Sequence, residues 1–261
     1  MNDSSIAALG PNARFIGVPG SRTGLSTPAL LLDLDALDRN IAAMAAHARK
    51  AGIQLRPHSK GGKSIEIARR QVAAGAIGIC CTTIGEAEIM AGAGIANVLI
   101  TSPVVTPAMI DRLVALNGRT NGLIAVADNP ANVDALAAAC AKAGQTLSLL
   151  VEFDVGQNRT GTTSGEAATA LALRIEASPQ LRFAGVQAYY GQLQHVAGFA
   201  ERKALAETQM ARLRALLEQL KSQGAAAGIV TGGGTGTFDI DPAGGVFTEV
   251  QPGSYPFMDR E

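Results

Sequence analysis

Eight short apolar runs alternate with alanine-rich stretches along the 261-residue chain, and this alternation constrains the fold more than any other feature. The alanine-rich stretches have the spacing of amphipathic helices; examples are residues 37–51, 107–116, 130–143, 164–177 and 198–223. The apolar runs have the length of strands; they are residues 29–32, 53–55, 77–81, 98–101, 123–127, 147–153, 183–188 and 229–231. Repeated strand–helix units predict a parallel sheet with helices outside it.

Eight such units in a chain of this length predict an α/β fold that closes into a (β/α)8 TIM barrel, which commonly takes about 250 residues. Continuous apolar strands agree with this prediction, because both faces of such a sheet are covered. An open, doubly wound sheet is the alternative, since periodicity does not report closure. A dinucleotide-binding fold is disfavoured, because no convincing Gly-x-Gly-x-x-Gly segment follows the first run.

The charge and cysteine content argue against several classes of protein. The 22 basic and 22 acidic residues balance, so there is no basic field to attract nucleic acid or an anionic membrane. The N-terminal residues lack the pattern of a signal peptide, and no run approaches the roughly 20 apolar residues that span a bilayer. Cys80, Cys81 and Cys140 have neither disulfide nor metal-ligand spacing. We therefore expect a soluble cytoplasmic protein whose cysteines pack in its core.

Residues 56–63, Arg-Pro-His-Ser-Lys-Gly-Gly-Lys, follow the second apolar run. The backbone of a lysine at the end of a strand is held rigidly, while its amine can extend into a cleft. At that position Lys60 could form a Schiff base with a carbonyl compound. Pro57 favours extended backbone before it, and His58 is a titratable neighbour that could orient Lys60. The second cation, Lys63, would favour an unprotonated Lys60 amine. A solvated surface lysine is the alternative.

Residues 231–237, Thr-Gly-Gly-Gly-Thr-Gly-Thr, follow the last of the apolar runs. Consecutive glycines let backbone N–H groups turn toward one anion, and the threonine hydroxyls add donors. Barrels of this class commonly bind phosphate at the loops after strands seven and eight. A flexible turn is the alternative interpretation. Residues 251–255, Gln-Pro-Gly-Ser-Tyr, indicate by themselves only a Pro-Gly turn.

In a barrel the loops that follow the strands contain the catalytic and binding residues. Four further polar residues of this chain stand after an apolar run. Arg159 stands in a glycine-flanked loop and could bind an anionic oxygen or form a surface salt bridge. Tyr189 could pack on a flat ligand. His195 could move a proton near neutral pH or be structural, whereas His47 lies on a predicted helix and should be structural. Thr82 is a candidate by position only.

These segments resemble the D-threonine aldolase, 3-hydroxyaspartate aldolase and D-serine dehydratase-like family, which has the alanine racemase type of pyridoxal 5′-phosphate (PLP) fold, fold type III. The similarity runs from about residue 27 to residue 259. It is carried by residues 27–35 (Thr-Pro-Ala-Leu-Leu-Leu-Asp-Leu-Asp), the Pro-His-x-Lys segment, residues 78–81 (Gly-Ile-Cys-Cys), Glu86-Ala87-Glu88, and the glycine-rich, arginine, tyrosine and Pro-Gly segments described above.

The resemblance implies a role for each candidate residue. Lys60 corresponds to the lysine that binds PLP, Arg159 lies in the cofactor pocket, and His195 faces the substrate side; these three are the catalytic residues that the resemblance implies. The cofactor contacts that it implies are Lys60, Thr82, Arg159, Tyr189, Gly234, Thr235, Gly253 and Ser254.

The resemblance implies a PLP-dependent lyase that cleaves D-3-hydroxy amino acids, as a D-threonine aldolase does, into glycine and an aldehyde. It also implies a homodimer that acts on a small D-amino acid. Elimination by a D-serine or 3-hydroxyaspartate dehydratase is one alternative. A non-catalytic PLP-binding barrel and a barrel for another phosphorylated ligand are two more.

The chain departs from the family at two places. Gly62 stands where relatives have a histidine. Full-length relatives continue into a β-rich module that carries a metal-binding His-x-Asp or His-x-Cys pair for a divalent cation such as Mn²⁺ or Mg²⁺. We therefore expect an N-terminal arm at residues 1–26, the PLP-binding barrel at residues 27–250, the start of a truncated C-terminal β domain at residues 251–261, and no metal ligands in this chain.

Overall fold

The computed structural model describes residues 10–257, and the centre of this part of the chain is a barrel of eight parallel strands. The strands are hydrogen-bonded in the order β1-β8-β7-β6-β5-β4-β3-β2. A parallel bridge between His58 and Cys80 joins the two ends of this sheet, so the predicted (β/α)8 barrel is confirmed. The strands are β1 Gln54–Leu55, β2 Cys80–Cys81, β3 Leu99–Ile100, β4 Ile124–Ala127, β5 Leu147–Glu152, β6 Leu181–Ala188, β7 Ile229–Gly232 and β8 Glu249–Val250.

Seven α-helices occur in residues 10–257, and local sequence signals explain where most of them begin. In four helices the side chain of a Ser, Thr or Asn accepts a backbone N–H of the first turn, which satisfies an otherwise unpaired donor. Two helices have proline in the first turn. The helices are α1 Leu34–Ala51, α2 Ile65–Ala73, α3 Ile84–Gly92, α4 Pro107–Asn117, α5 Pro130–Ala143, α6 Gly165–Glu176 and α7 Phe199–Ser222.

The prediction of a strand at residues 29–32 is wrong. These residues form no regular secondary structure and are exposed. The strand that lies beside β1 is instead β8. Glu249 of β8 pairs with Gln54 of β1 on one side and with Thr231 of β7 on the other. The pattern missed β8 because it is two residues long and begins with a charged side chain. Lys60 consequently follows the first strand, and residues 233–237 follow the seventh.

A first compact unit, Met1–Leu37, precedes the unit that contains the barrel. Its described part has two 3₁₀ turns, Ala13–Phe15 and Ser21–Gly24. The side chain of Asn12 joins the ends of this stretch, because it donates to the carbonyl of Ser26 at 2.8 Å and accepts its N–H at 2.7 Å. Residues 1–9 of the predicted arm and residues 258–261 of the predicted C-terminal segment lie outside the described residues.

A buried ion pair lies at the end of the barrel where β2 and β3 begin. Arg56 donates from Nε and Nη2 to the two carboxylate oxygens of Glu249, at 2.8 and 2.9 Å, and donates from Nη1 to the carbonyl of Asn97. A Cβ on Gly78 would lie 2.9 Å from Arg56 Nη1 and 2.1 Å from that carbonyl. Glycine at position 78 is therefore required by the close approach of the Asn97 carbonyl, and Arg56 lies against it as well.

An apolar layer fills the middle of the barrel, and a polar layer follows it at the carboxyl ends of the strands. Because side chains alternate along a strand, Leu99 and Leu150 share a face with the polar residues two positions further on. The apolar layer consists of Cys80, Leu99, Ile124, Val126 and Leu150. All three cysteines are buried and free, as expected.

The polar layer is a chain of buried hydrogen bonds that crosses the barrel. Gln187 Nε2 donates to a carboxyl oxygen of Glu152 and, at 3.0 Å, to the carbonyl of Thr101. Gln251 Nε2 donates to Gln187 Oε1 at 3.0 Å and to Thr231 Oγ1 at 2.9 Å. Burial raises the pKa of Glu152 to about 8, so its carboxyl group keeps its proton at neutral pH.

No helix within residues 10–257 combines the length and the apolar character that crossing a membrane requires.

We expect Glu249→Ala to lower the free energy of unfolding by about 3–5 kcal/mol, because it leaves the buried guanidinium of Arg56 without its partner. Urea unfolding followed by circular dichroism measures this change. The control is Asp134→Ala, which removes a half-exposed ion pair with Arg174 and should lower the stability far less, because solvent screens such a pair. Equal losses from the two variants would contradict a structural role for the buried pair.

We expect the contribution of Glu152 to the stability of the wild type to fall as the pH rises from the ordinary carboxyl pKa of 4.5 toward 8. In that range folded Glu152 retains a proton that the unfolded chain releases. The slope is at most about 1.4 kcal/mol per pH unit. Glu152→Gln keeps the shape and removes this titration, so the difference in unfolding free energy between the wild type and the variant should show this slope in urea titrations at pH 5 and pH 8.5. Glu176→Gln, at an exposed position of α6, is the control and should retain the slope of the wild type.

Candidate active site

A cavity of about 610 Å³ opens at the carboxyl ends of the barrel strands. Loops that follow strands β1, β2, β3, β5, β6, β7 and β8 all contribute to its lining, as expected where a barrel of this class carries its chemistry. The structure brings every predicted site residue to this one cavity: Lys60, Thr82, Arg159, Tyr189, His195, Gly234, Thr235, Gly253 and Ser254.

Lys60 and Arg159 approach the same aromatic ring. The Nζ of Lys60 lies 5.5 Å from the ring centroid of Tyr189, and the guanidinium carbon of Arg159 lies 5.7 Å from it. Lys60 is open to the cavity, yet desolvation is the largest cause that lowers the pKa of its amine, and the charge of Arg159 lowers it further. An amine with a lowered pKa is more often unprotonated and can attack a carbonyl carbon.

Lys63 is not the neighbouring cation that the sequence predicted. Its Nζ lies 3.5 Å from Glu86 Oε1, and most of its side chain is exposed. The charge that acts on Lys60 comes instead from Arg159, which is about a hundred residues away in the sequence. The predicted direction of the pKa shift was right, but the residue named as its cause was wrong.

The imidazole ring of His58 is buried and neutral, and it contacts the backbone of Lys60. The backbone N–H of Lys60 donates to His58 Nδ1 at 3.3 Å, and His58 Nε2 lies 3.1 Å from Thr101 Oγ1 and 3.5 Å from Thr82 Oγ1. Because Nδ1 is the acceptor, the proton of the neutral ring is on Nε2. Burial first, then the charges of Lys60 and Arg159, lower the pKa of His58 to about 3. His58 thus fixes the start of the Lys60 loop, as expected.

The glycine-rich segment, residues 233–237, is folded around the buried carboxyl group of Asp241. This group accepts the hydroxyl of Thr237 at 2.7 Å and also that of Tyr190. Gly233 has φ 65°, and a Cβ there would lie 2.0 Å from Asp241 Oδ2. The segment is therefore a fixed structure and not the flexible turn of the alternative interpretation. Burial raises the pKa of Asp241 to about 7.

Thr235 joins the loop after β7 to the loop after β8. Its Oγ1 accepts the backbone N–H groups of Ser254 and Tyr255, each at 3.2 Å. A hydroxyl that accepts two bonds still has its own O–H to donate, and the side chain of Ser254 lines the same part of the cavity. A Cβ on Gly253 would lie 3.4 Å from that of His58, so this loop lies close to the base of Lys60. The hydroxyl groups of Thr235 and Ser254 are donors of the kind that a phosphate group requires.

A loop held by Asp154 supports Arg159. Asp154 Oδ1 accepts three successive backbone N–H groups, those of Gly156 at 2.9 Å, Gln157 at 2.9 Å and Asn158 at 3.2 Å. Gly156 and Asn158 both have positive φ. The loop therefore turns sharply around one carboxylate oxygen, and Arg159 leaves it toward the cavity.

Two further predictions concern residues beside the cavity. His47 is structural, as predicted, because its Nε2 lies 3.1 Å from the carbonyl of Phe238 and its ring packs edge-on against the Phe238 ring. Gly62, where relatives have histidine, faces the ring of Phe257, and a Cβ there would lie 2.9 Å from Phe257 Cζ. A larger residue at position 62 would require Phe257 to move.

Sequence reasoning missed several residues of the cavity and its supports. Gln187 and Gln251 form the cavity floor, and each is a polar residue at the end of a strand or one or two positions beyond it, which is the signal that could have found them. Gln194 lines the wall, and Tyr190 supports the glycine-rich segment from behind. Within residues 10–257, His, Cys, Asp and Glu side chains form no group of three or more that could hold a metal ion.

Comparison with known sequences shows that this chain is similar to two kinds of aldolase. A 3-hydroxy-D-aspartate aldolase of Paracoccus denitrificans strain Pd 1222 is 39% identical over 246 residues, which are 94% of this chain and 64% of that protein. A D-threonine aldolase of Arthrobacter sp. is 42% identical over 238 residues, 91% of this chain and 62% of that protein. The chain therefore spans less than two thirds of the length of these relatives.

Solved structures show the same similarity. D-threonine aldolase from Filomicrobium marinum superposes with a TM-score of 0.89 at 41% identity, over 91% of this chain and 64% of that one. D-threo-3-hydroxyaspartate dehydratase from Delftia sp. HT23 superposes with a TM-score of 0.79 at 32% identity, over 90% and 62%. The resemblance predicted from the sequence is confirmed.

Residues 32–261 match the family described as alanine racemase, N-terminal domain. With the barrel and the placement of the lysine after its first strand, this match shows that the chain belongs to the alanine racemase N-terminal domain family.

Proposed function

We propose that this chain binds PLP through Lys60 and is the barrel of a lyase that cleaves D-3-hydroxy amino acids. The observation that carries the proposal is that one cavity contains two features together. The amine of Lys60, whose pKa is lowered, lies near the ring of Tyr189, and the hydroxyl groups of Thr235 and Ser254 line the same cavity. Relatives about 40% identical are named as aldolases for D-threonine and 3-hydroxy-D-aspartate, which supports the substrate class.

The residues present fit PLP in both their chemistry and their arrangement. Lys60 would bind the aldehyde carbon, and Tyr189 would contact the ring. Thr82 would line the ring beside His58, to which its hydroxyl is close. The phosphate contacts proposed are Gly234, Thr235, Gly253 and Ser254. Thr235 and Ser254 would donate from their hydroxyl groups, whereas the N–H of Gly234 already donates to Thr237 Oγ1 at 3.2 Å. When bound, PLP withdraws the electron pair of the bond that breaks at the substrate's α-carbon.

The side chains of this chain would then orient the substrate and move its protons. Arg159 is a fixed cation in the cavity and would bind the substrate carboxylate or the cofactor's phenolic oxygen. His195 ends the 3₁₀ turn Gly191–His195 and lines the cavity. It would take the proton of the 3-hydroxyl group. Loss of that proton, with cleavage between the α- and β-carbons, leaves an aldehyde, and glycine forms when a proton is returned to the α-carbon.

Other parts of the proposal rest on the resemblance. It implies a divalent metal such as Mn²⁺ or Mg²⁺, and the described residues do not supply a set of ligands for one. The homodimer is also proposed on the resemblance. The three buried free cysteines support a location in the reducing cytoplasm.

Dehydration is the second candidate function. A D-threo-3-hydroxyaspartate dehydratase of Delftia sp. strain HT23 is 32% identical over 236 residues. Both reactions begin with the same class of substrate and need the same lysine. The aldolase is preferred because the two aldolases described above have higher identity, 39% and 42%.

Wild-type protein mixed with PLP should develop a visible absorbance band, and borohydride reduction should attach the cofactor permanently to residue 60. Lys60→Ala should abolish both results, because no other amine occupies that position. Mass spectrometry of the reduced peptide is the measurement. Lys63→Ala, three residues away and outside the cavity lining, is the control and should behave as the wild type does. A band that survives in Lys60→Ala would contradict the proposal.

The products distinguish the two candidate reactions. With D-threonine and added Mn²⁺, an aldolase releases glycine and acetaldehyde, whereas a dehydratase releases ammonia and a 2-oxo acid. Glycine that forms in the wild type and not in Lys60→Ala supports the aldolase. Release of ammonia without glycine would establish the dehydratase in its place.

A further inference from the structure

The 3₁₀ turn Gly191–His195 lies between two loops of the cavity. On one side it contacts the loop that carries Arg159. The N–H of Gly191 donates to Gln157 Oε1 at 3.3 Å, and Gln192 Nε2 donates to the carbonyl of Val155 at 3.4 Å. The turn that places His195 at the cavity is therefore anchored to the loop after β5.

On its other side the turn contacts the glycine-rich segment through Gln194. Its Oε1 accepts the N–H of Gly236 at 2.7 Å, and its Nε2 donates to Thr237 Oγ1 at 3.3 Å. The sequence had assigned such glycine N–H groups to a bound anion. In the structure the acceptor of the Gly236 N–H is a glutamine side chain of the protein itself.

The shape of this contact explains why residues 234 and 236 are both glycine. A Cβ on Gly234 would lie 2.5 Å from Gln194 Oε1, and a Cβ on Gly236 would lie 3.0 Å from both Oε1 and the main-chain oxygen of Gln194. The backbone and the side chain of Gln194 thus both lie against the segment. Thr235, between the two glycines, is bonded instead to the loop after β8.

We propose that Gln194 is a positioning residue that couples the phosphate site to His195. This inference rests on the proposed function, in which the phosphate binds at Thr235. Gln194 is adjacent to His195 in the chain and contacts the residues on both sides of Thr235. A phosphate at Thr235 therefore acts on the position of the His195 turn through one glutamine. Only a side chain with both an acceptor and a donor reproduces the two bonds of Gln194.

The first test compares two ligands that differ only in the phosphate. Gln194→Met keeps roughly the same volume and loses both hydrogen bonds. We expect the dissociation constant for PLP, measured by the visible absorbance, to rise about tenfold, while that for pyridoxal changes little. Gln192→Met is the control, because it removes an amide from the same turn on the side away from the glycine-rich segment, and it should bind both ligands as the wild type does.

The second test follows His195 directly. The chain has three histidines, so the ring C2–H signal of His195 can be assigned in proton NMR spectra by its loss in His195→Gln. Inorganic phosphate should shift this signal in the wild type and in Gln192→Met. In Gln194→Met the shift should be absent even when phosphate is saturating. A residue with a merely structural role would weaken phosphate binding and leave the shift at saturation unchanged.

The outcomes separate this inference from the proposed function. If the wild type binds no PLP, the proposed function fails, and the phosphate titration still tests the coupling. If Gln194→Met keeps the wild-type ratio of PLP to pyridoxal affinity, or keeps the shift of His195, the coupling is wrong while the function stands. Gly236→Ala repeats the test if Gln194→Met does not fold. Its Cβ would lie against Gln194 from the glycine-rich segment, and the phosphate-induced shift of the His195 signal should be lost in this variant too.

Discussion

Closure of the barrel through β1 is the constraint on which the site depends. β1 pairs with β8 on one side, and His58, just after β1, pairs with Cys80 of β2 on the other. This closure brings the loops after β8, β1 and β2 side by side, so Gly253, Lys60 and Thr82 reach one cavity. An open sheet with the same strands would leave its first and last loops at opposite edges. The catalytic lysine and the phosphate donors of the proposal would then be separate.

The charges around the cavity are arranged so that its cations dominate. Lys60 and Arg159 approach one tyrosine ring. The nearest titratable groups below them are neutral, because the pKa of His58 is lowered to about 3 and that of Glu152 is raised to about 8, both mainly by burial. Glu152 therefore adds no negative charge below Arg159, while the carboxylate of Glu86 acts on Lys60. An anionic cofactor and the carboxylate of an amino acid both suit such a field.

The sequence was sufficient for the fold class, because apolar runs mark strands. For the members of the candidate site local patterns gave Lys60 and the glycine-rich segment, and the family resemblance was needed for Thr82, Gly253 and Ser254. The sequence misplaced the first strand, since residues 29–32 match the apolar pattern of a strand but pairing selects Glu249–Val250 instead. It also named the wrong cation beside Lys60 and missed the contact of Gln194 with Gly236. These interactions join residues that are from about 40 to nearly 200 positions apart, and no local pattern encodes such pairs.

The glycine-rich segment shows why composition alone was ambiguous. Glycines in a loop suggest flexibility, yet here each close contact comes from a buried or wall-forming polar side chain. Asp241 occupies the space behind Gly233, and Gln194 occupies the space beside Gly234 and Gly236. The glycines thus allow polar side chains to approach the backbone and hold it in one conformation. A segment that is ordered before its ligand arrives loses little conformational entropy on binding. The rigidity of this site therefore depends on the glycines, which in the sequence had suggested a flexible turn.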